Sequence, residues 1–286
     1  MIKALILDID GVIVGSRSGY NLPLPSPQVM NKLKQLEKKG FKICLCSAKA
    51  LFGFKKIIQQ GKLSGPHIAD SGALIFDYKK DKIIKKTFFP KSGLINLMEE
   101  VFQLGYYTEL YSQKNYYVFK KSKLDFPVFF KKHSKVLQKK PVILQNFQEI
   151  KKITGLTKLI VSVNDSNQKD NLIEKLEDFK KQIDFRWSSH PLIKGKEFAI
   201  INKKGVSKKN ALNFIAGHLG VDFENFLAAG DSLSDWEFMK QCDYRATLEN
   251  APEKLKKLVK KNQEKSFIGP DVDEDGILRV FKYFQL

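Results

Sequence analysis

The first fifty residues alternate between apolar and amphipathic segments, and this alternation is the strongest constraint on the fold. Residues 3–8 predict a strand, and its apolar run, Ala4 to Leu7, is typical of a strand that is buried on both faces of a parallel sheet. The segment SPQVMNKLKQLEKKG predicts a helix, with Ser26 at the N-cap, Pro27 at the first helical position and Gly40 at its end. Residues 41–47, FKICLCS, then predict a second strand. This order predicts a right-handed parallel crossover.

The same alternation returns near the C-terminus. The segment SKKNALNFIAGHLG predicts a helix that Ser207 caps and Gly220 ends. FLAAGD predicts a short buried strand that ends at Asp231, and APEKLKKLVKK and DGILRVFKYFQL predict two further helices. The two ends of the chain therefore predict one α/β core with a Rossmann-like parallel sheet.

The middle of the chain differs from both ends, because aromatic clusters such as GYYTELY dominate it. Strand-like runs such as TKLIVSV are followed there by the helical pattern NLIEKLEDFKKQ. We expect residues 81–191 to form an inserted α+β domain with its own core. Residues 1–80 and 192–286 would then form the α/β core domain.

The charge composition favours anionic ligands of small size over nucleic acid. Lys and Arg number 50 against 31 Asp and Glu, so the formal net charge is +19. Four of the 50 are arginine, and the lysines are scattered along the whole chain. Nucleic-acid-binding proteins usually concentrate basic residues on one face and use arginine for bidentate contacts. A nucleic-acid partner is therefore not expected, although the net charge would attract anionic small molecules.

Neither a membrane segment nor a secretory signal is expected. No apolar run approaches the roughly 18 residues that a membrane helix needs. The N-terminal segment MIKALILD places an acid where a secretory signal would need apolar residues. We expect a cytoplasmic protein that does not bind a membrane.

Polar residues follow the predicted strands of the core. Asp8 and Asp10 follow the first strand, Ser47 ends the second, and Asp231 ends the strand near the C-terminus. Ligands of open parallel sheets bind beyond the carboxyl ends of the strands, so we expect these groups at one edge, together with Lys208. Carboxylates gathered there repel one another unless a cation offsets them. Hard oxygen ligands suit Mg²⁺, and a lysine beside them suits a phosphate.

Four segments resemble, in order, the four motifs of haloacid dehalogenase-superfamily phosphatases: DIDGV, CSAK, GVSKKNAL and GDSLSD. The subgroup that this chain most resembles is that of the Cof-type and archaeal phosphoglycolate phosphatase-like hydrolases. IADSGALIFD and LENAPEKLK are similar to secondary patterns of that subgroup. The resemblance covers about residues 1–80 and 195–286. It implies the haloacid dehalogenase (HAD) fold, with the middle of the chain as a C2-type cap, a lid that selects the substrate.

The resemblance also implies a Mg²⁺-dependent phosphomonoester hydrolase that works through an aspartyl-phosphate intermediate. Asp8 would be the nucleophile, and Asp10 the general acid and base. Mg²⁺ would bind the carboxylates of Asp8 and Asp231 and the backbone carbonyl of Asp10. Dehalogenases and P-type ATPases of the superfamily lack an acid two residues after the nucleophile, so Asp10 indicates a phosphoester leaving group.

The remaining motif residues are expected around the phosphoryl group. Ser47, Lys208 and Gly11 would bind its oxygens, with backbone amides near Asp10 and Gly11 as hydrogen-bond donors. Asp235 would orient a metal-bound water or Lys208.

The implied substrate is a small phosphorylated metabolite, such as phosphoglycolate or a sugar or polyol phosphate. A phosphomutase of the same superfamily is one alternative. A catalytically degenerate protein that binds phosphometabolites or nucleic acid is another. The oligomeric state, including a homodimer, stays open.

This chain departs from the usual family pattern at four places. Ser47-Ala48-Lys49 stands where Thr-Gly-Arg is common, and Ser71 and Ser234 stand where asparagine is usual. Lys209 occupies the position of a glycine that commonly follows the motif lysine. The last departure leaves open whether Lys208 or Lys209 contacts the phosphate.

Overall fold

The computed structural model describes residues 1–119, 133–134, 137–190 and 193–286. Within these residues the strands, in chain order, are β1 (Ala4–Leu7), β2 (Lys42–Leu45), β3 (Pro66–Ala69), β4 (Leu74–Asp77), β5 (Lys82–Lys86), β6 (Thr108–Ser112), β7 (Tyr116–Phe119), β8 (Val142–Leu144), β9 (Leu156–Val163), β10 (Ile183–His190), β11 (Ile193–Lys203), β12 (Phe226–Ala229), β13 (Tyr244–Leu248) and β14 (Ser266–Gly269). The helices are α1 (Pro27–Lys38), α2 (Lys55–Gly61), α3 (Lys91–Gln103), α4 (Ser166–Glu177), α5 (Lys208–Leu219), α6 (Trp236–Met239), α7 (Glu253–Lys260) and α8 (Ile277–Tyr283). None of these helices is long and apolar enough to span a bilayer.

A parallel sheet forms the centre of the first of two compact units, which consists of Met1–Lys49, Phe54–Lys85 and Ser207–Leu286. Its strand order is β14-β13-β12-β1-β2, and all neighbouring pairs are parallel. Every residue of β1 and β12 is buried, which explains why both strands are continuous apolar runs. The predicted α/β core with a parallel sheet is confirmed.

The helices that flank this sheet begin as their sequences predict. Ser26 Oγ accepts a hydrogen bond from the Val29 N–H at 3.2 Å, and Pro27 is the first residue of α1. Ser207 Oγ likewise accepts from the Asn210 N–H at 3.1 Å, and this cap starts α5 at Lys208. The caps therefore decide which residues of the chain occupy the first turn of each helix.

A tight turn, Asp70–Gly72, connects β3 to β4 with three consecutive positive φ angles of 49°, 63° and 112°. Such backbone is strained for the first two residues and persists when surrounding contacts hold it. The N–H of Asp70 donates to the Lys49 carbonyl at 2.8 Å, and the next N–H donates to the Ser47 carbonyl at 3.1 Å. The turn is therefore attached to the loop that follows β2.

Gly72 also lies against the start of α5. A Cβ atom at this position would be 2.4 Å from the Ser207 carbonyl oxygen, closer than any real contact. The turn is thus hydrogen-bonded to the loop after β2 and packs closely against the cap of α5.

The second compact unit consists of Ala50–Gly53 and Lys86–Val206. Its six-stranded sheet has the order β10-β11-β9-β6-β7-β8, and the described pairs are antiparallel apart from β7 and β8. The apolar faces of α3 and α4 contribute Leu97 and Leu172 to a cluster with Leu110 and Leu159 of the sheet. This α+β architecture agrees with the sequence expectation for the middle of the chain.

The opposite face of that sheet carries three buried tyrosines. Tyr107, Tyr111 and Tyr116 belong to a separate buried cluster, because successive side chains of a strand point to opposite faces. Phe52, from the segment Ala50–Gly53, stacks on Tyr111 and Tyr116 at centroid distances of 6.4 and 6.2 Å. These aromatic residues form a core of their own.

The unit boundaries differ from the predicted ones. The strand β5 pairs with β4, so the first unit continues to Lys85 instead of residue 80. The predicted boundary between residues 191 and 192 lies outside the described residues. The strands on either side of it, β10 and β11, are paired in one sheet, and the second unit therefore continues to Val206.

The substitution Gly72→Ala tests the role of the turn. We expect it to lower the free energy of unfolding by about 3 kcal/mol, because the new Cβ meets the Ser207 carbonyl in addition to adopting positive φ. Gly220→Ala is the matched control, since its φ is +62° and nothing lies within 4 Å; it should cost about 1 kcal/mol. Urea denaturation measures both values, and equal losses would contradict the account of the turn.

Candidate active site

The carboxyl ends of β1 and β12 bring three carboxylates together within the first unit. Asp8 directly follows β1, and its N–H donates to the Ala229 carbonyl of the neighbouring strand at 2.9 Å. One carboxylate oxygen from each of Asp8, Asp231 and Asp235 lies within 4.8 Å of the others. Asp8 is 7% exposed and Asp235 is fully buried, so water screens this cluster only weakly.

Lys208 is the cation of the cluster. Its Nζ donates to Asp8 Oδ1 at 2.8 Å and to Asp235 Oδ1 at 2.6 Å. The side chain lies in the first turn of α5 on the buried face of the helix, next to Ala211 and Leu212. Lys209 points to the exposed face. The structure therefore brings Lys208, and not Lys209, to the carboxylates.

Asp235 has both carboxylate oxygens occupied. While Oδ1 accepts from Lys208, Oδ2 accepts from the Ser232 hydroxyl at 2.7 Å, the Ser232 N–H at 3.1 Å and the Asp231 N–H at 3.3 Å. The Ser234 hydroxyl lies 2.8 Å from that of Ser232. Through these hydrogen bonds Asp235 holds the loop after β12 in place and orients the ammonium of Lys208.

Asp10 and Ser47 lie beside the carboxylates on the loops after β1 and β2. Lys49 Nζ donates to Asp10 Oδ1 at 2.6 Å. Ser47 Oγ accepts a hydrogen bond from the Lys49 N–H at 3.0 Å, which leaves its hydroxyl hydrogen available to a ligand. Ser47 is 3% exposed, so its hydroxyl is held in one place by its surroundings.

Gly11 lies at a close approach between the loop after β1 and Asp231. Its φ is +75°, and a Cβ atom here would be 2.1 Å from Asp231 Oδ2. Its N–H donates to the Val14 carbonyl at 2.8 Å, so in this structure the amide is already paired. Among the described residues no acceptor takes the Asp10 N–H, so this amide is available as a donor. Gly11 permits the close approach of Asp231.

The carboxylates of the cluster differ in acidity. Burial raises the pKa of Asp8 to about 7, with Asp235 adding to the shift and Lys208 opposing it. Burial also raises the pKa of Asp231 to about 8, followed by repulsion from Asp8 and then Asp235. Burial acts in the same direction on Asp235, but the ammonium of Lys208 and the hydrogen bonds from Ser232 leave its pKa below the ordinary value.

The pKa of Lys208 is shifted by the same neighbouring carboxylates. Burial alone would lower its pKa, but the Asp235 and Asp8 carboxylates more than compensate and leave the pKa above the ordinary value. Lys208 is therefore a permanent cation, paired with Asp235, and the raised pKa values of Asp8 and Asp231 mean that ionising both near neutral pH requires further positive charge.

The donor set fits a divalent cation. In the described part of the chain no hydrogen-bond donor reaches Asp8 Oδ2 or either carboxylate oxygen of Asp231. These are hard carboxylate oxygens close to one another, as Mg²⁺ prefers. Asp235 also lies within reach of an ion, but its hydrogen bonds already use both oxygens. It therefore fits an orienting role better than that of a ligand.

Some polar contacts were absent from the sequence expectations. Ser232 was unassigned, although the motif GDSLSD places its hydroxyl three residues before Asp235. In the second unit, buried Glu109 accepts hydrogen bonds from Tyr107 (2.7 Å), Tyr111 (2.5 Å) and His133 (2.8 Å). The sequence GYYTELY does not show that Glu109 is buried and hydrogen-bonded, because the alternation along a strand indicates only which face of the sheet a side chain lies on and not which residues it contacts.

Comparison with known proteins places these observations in a family. A model of the family described as haloacid dehalogenase-like hydrolase matches residues 5–281. The chain is 28% identical to a phosphoglycolate phosphatase from Staphylothermus marinus, over 90% of this chain and 89% of the relative. It is 21% identical to a 5-amino-6-(5-phospho-D-ribitylamino)uracil phosphatase from Bacillus subtilis, over 96% and 95%.

Solved structures agree on the fold. A haloacid dehalogenase-like hydrolase from Bacteroides thetaiotaomicron superposes with a TM-score of 0.83, covering 99% of this chain and 100% of its own, at 17% identity. The likeness extends over both compact units, because the coverage includes nearly the whole of each chain.

Replacement of the buried lysine tests the electrostatic account. We expect Lys208→Met to lower the free energy of unfolding by about 3–5 kcal/mol at neutral pH, because it leaves Asp235 buried without its cation. Lys209→Met is the matched control on the exposed face and should change the value by less than about 0.5 kcal/mol. Urea denaturation in EDTA measures both, and similar values for the two variants would disprove the account.

Proposed function

The chain belongs to the haloacid dehalogenase-like hydrolase family and is a phosphatase, and we propose that it hydrolyses small phosphomonoesters with Mg²⁺ through an aspartyl-phosphate intermediate. The observation that carries this proposal is the buried cluster in which Lys208 joins Asp8 and Asp235 beside Asp231. A nucleophilic carboxylate, a fixed cation and unpaired oxygen ligands are the groups that phosphoryl transfer requires.

Asp8 is the proposed nucleophile. Lys208 orients the Asp8 carboxylate through Oδ1, so that one carboxylate oxygen could attack phosphorus while the other faces the proposed metal. Attack on phosphorus would form the aspartyl-phosphate and break the bond to the leaving alkoxide, which takes a proton from Asp10. Asp10 would then accept a proton from the water that attacks the same phosphorus, releasing inorganic phosphate and the Asp8 carboxylate.

The phosphoryl oxygens would be bound by three donors of this chain. Lys208 supplies a fixed positive charge, the Ser47 hydroxyl has its hydrogen available, and the Asp10 N–H is unpaired. Donors that are already in position stabilise the charge of the transition state without a cost of reorganisation. Gly11 would contribute by letting the loop pass close to Asp231, and not by its paired N–H.

The proposed metal ligands are the carboxylates of Asp8 and Asp231 and the backbone carbonyl of Asp10. When bound, Mg²⁺ would offset the negative charge of these groups and of the phosphoryl oxygens. Asp235 would keep Lys208 and the Asp231 loop in place through the hydrogen bonds described above.

The proposed substrate is a small phosphorylated metabolite, with phosphoglycolate or a sugar or polyol phosphate as the first candidates. The two relatives described above are named for phosphoglycolate and for a phosphorylated ribityl compound. Lys208, the Ser47 hydroxyl and the Asp10 N–H are all proposed to bind the phosphoryl group, which every such substrate shares. We therefore propose that the second compact unit acts as the cap that chooses among substrates.

The substitution Asp8→Asn tests the proposed function. Wild-type protein should release phosphate from p-nitrophenyl phosphate in Mg²⁺ and lose that activity in EDTA. Asp8→Asn should lower kcat by at least about 10³-fold, because the amide is not a nucleophile but keeps the shape of the side chain. Exposed Asp222→Asn is the matched control and should keep full activity. A wild type inactive on a broad panel of phosphometabolites, or an active Asp8→Asn, would refute the proposal.

If Asp231 is a metal ligand, the substitution Asp231→Asn should have opposite effects on thermal stability with and without Mg²⁺. The pKa of Asp231 is about 8 against about 3.8 for an unfolded aspartate, so the metal-free fold loses stability as the pH rises from about 4 to about 8, and the loss levels off above pH 8. At about pH 8.5 and in EDTA, Asp231→Asn should raise the thermal midpoint, and near pH 6 this difference should shrink.

In the wild type, Mg²⁺ should raise the midpoint at about pH 8.5 by mass action, at about 2–4 °C per kcal/mol of binding energy. Asp231→Asn should abolish this response, whereas Asp222→Asn should retain it. A Mg²⁺ response that survives in Asp231→Asn would exclude Asp231 as a ligand.

A further inference from the structure

The ion pair between Lys49 and Asp10 has no part in the reaction as described so far. Lys49 Nζ lies 2.6 Å from Asp10 Oδ1, and the Lys49 side chain is 16% exposed against 45% for Asp10. The ion pair of Lys55 and Asp81 in the same unit is far more exposed, at 37% and 75%. Lys49 is therefore largely enclosed beside the proposed acid, Asp10, whereas Lys55 and Asp81 form a solvated surface pair.

The backbone of Lys49 is held on both sides. Its N–H donates to Ser47 Oγ at 3.0 Å, and its carbonyl accepts from the Asp70 N–H at 2.8 Å. Asp70 begins the left-handed turn that also accommodates the cap of α5. The base of the Lys49 side chain is therefore fixed by the same loop that carries the Ser47 hydroxyl.

Among the described residues, Lys49 donates the hydrogen bond that the Asp10 carboxylate accepts. Asp8 and Asp235, in contrast, are held by Lys208, which is itself buried. A half-exposed aspartate can rotate away from a substrate. Proton transfer requires heavy atoms within about 2.6–3.2 Å, and a displacement of about 1 Å can cost about 100-fold in rate.

We propose that Lys49 is a positioning residue for Asp10, and that its ammonium holds the carboxyl group where it can protonate the leaving alkoxide. This inference rests on the proposed function. In the step concerned, the bond between phosphorus and the leaving oxygen breaks and the proton of Asp10 passes to that oxygen. Lys49 keeps its own protons and makes no contact with the phosphoryl group in this assignment.

The dependence on the leaving group distinguishes this role from others. The p-nitrophenolate ion leaves without a proton, whereas a benzyl alkoxide requires one. Phenyl phosphate lies between p-nitrophenyl phosphate and benzyl phosphate, and the three esters have similar size. A residue that acts through the acid must matter more as the leaving group becomes more basic. A residue that binds the phosphoryl group or maintains the fold must affect all three alike.

The test compares Lys49→Met with the wild type on these three esters in Mg²⁺. The value of kcat/KM reports every step up to release of the leaving group. It should fall about 100-fold for benzyl phosphate, by an intermediate factor for phenyl phosphate, and less than about 3-fold for p-nitrophenyl phosphate. Lys49→Arg retains a cation and should restore part of the benzyl phosphate activity. Lys55→Met, which removes the exposed ion pair, should leave all three values unchanged.

A double-substitution cycle checks that Lys49 acts through Asp10. In the Asp10→Asn background, Lys49→Met should lower kcat/KM for benzyl phosphate by less than about 2-fold further, because the acid is already absent. Thermal unfolding of each variant verifies that it folds. Lys49→Gln replaces Lys49→Met if the latter does not fold.

The outcomes separate this inference from the proposed function. Equal losses on all three esters, no loss on any, or a full further loss in the Asp10→Asn background would overturn the role of Lys49 while the phosphatase assignment stands. A wild type that hydrolyses none of the three esters and no member of a phosphometabolite panel would overturn both.

Discussion

The ammonium of Lys208, shared between Asp8 and Asp235 at 2.8 and 2.6 Å, is the interaction on which the site depends. Buried carboxylates are costly, and one enclosed cation makes two of them tolerable. The same cation cannot also neutralise Asp231, whose pKa rises to about 8 as a result of burial and of repulsion. Ionising both Asp8 and Asp231 near neutral pH therefore requires more positive charge than Lys208 supplies, and this requirement is the physical reason to expect a divalent ion.

The fold supplies the geometry for this interaction in three ways. The strand β1 lies next to β12, so Asp8 and Asp231 emerge side by side. Gly11 removes the Cβ that would otherwise displace the Asp231 carboxylate. The left-handed turn after β3 is hydrogen-bonded to the loop after β2 and packs closely against the start of α5, from which Lys208 extends. Segments that are far apart in the chain are thus fixed relative to one another by short backbone contacts.

Much of this arrangement could be predicted from the sequence because it follows from local patterns. Apolar runs, capping serines and terminal glycines indicate the strands and helices of the first unit, and parallel topology then brings Asp8 and Asp231 to one edge. The order of the motifs identified the family, which the family comparison bears out. The motif alone left open whether Lys208 or Lys209 faces the carboxylates. The structure answers this, because the Ser207 cap sets which residue of the first turn of α5 lies on the buried face, and that residue is Lys208.

Other features could not be predicted, because they depend on contacts between distant residues. The pairing of Lys49 with Asp10 joins two loops and has no local signal. The N–H of Gly11 donates a hydrogen bond to the Val14 carbonyl. The spacing of the residues in the sequence does not indicate this bond. The inserted unit continues to Val206 because β11 pairs with β9 and β10, and sheet partners of this kind are set by tertiary structure.

The most direct test of the central claim is to find where the phosphoryl group resides during turnover. Wild-type protein would be mixed with p-nitrophenyl phosphate and Mg²⁺, quenched in acid within milliseconds, and digested for mass spectrometry at low pH. The account predicts a phosphoryl group on the peptide that contains Asp8, absent from the same peptide of Asp8→Asn. Rapid phosphate release with no modified Asp8 peptide, or a phosphoryl group on another peptide, would contradict it.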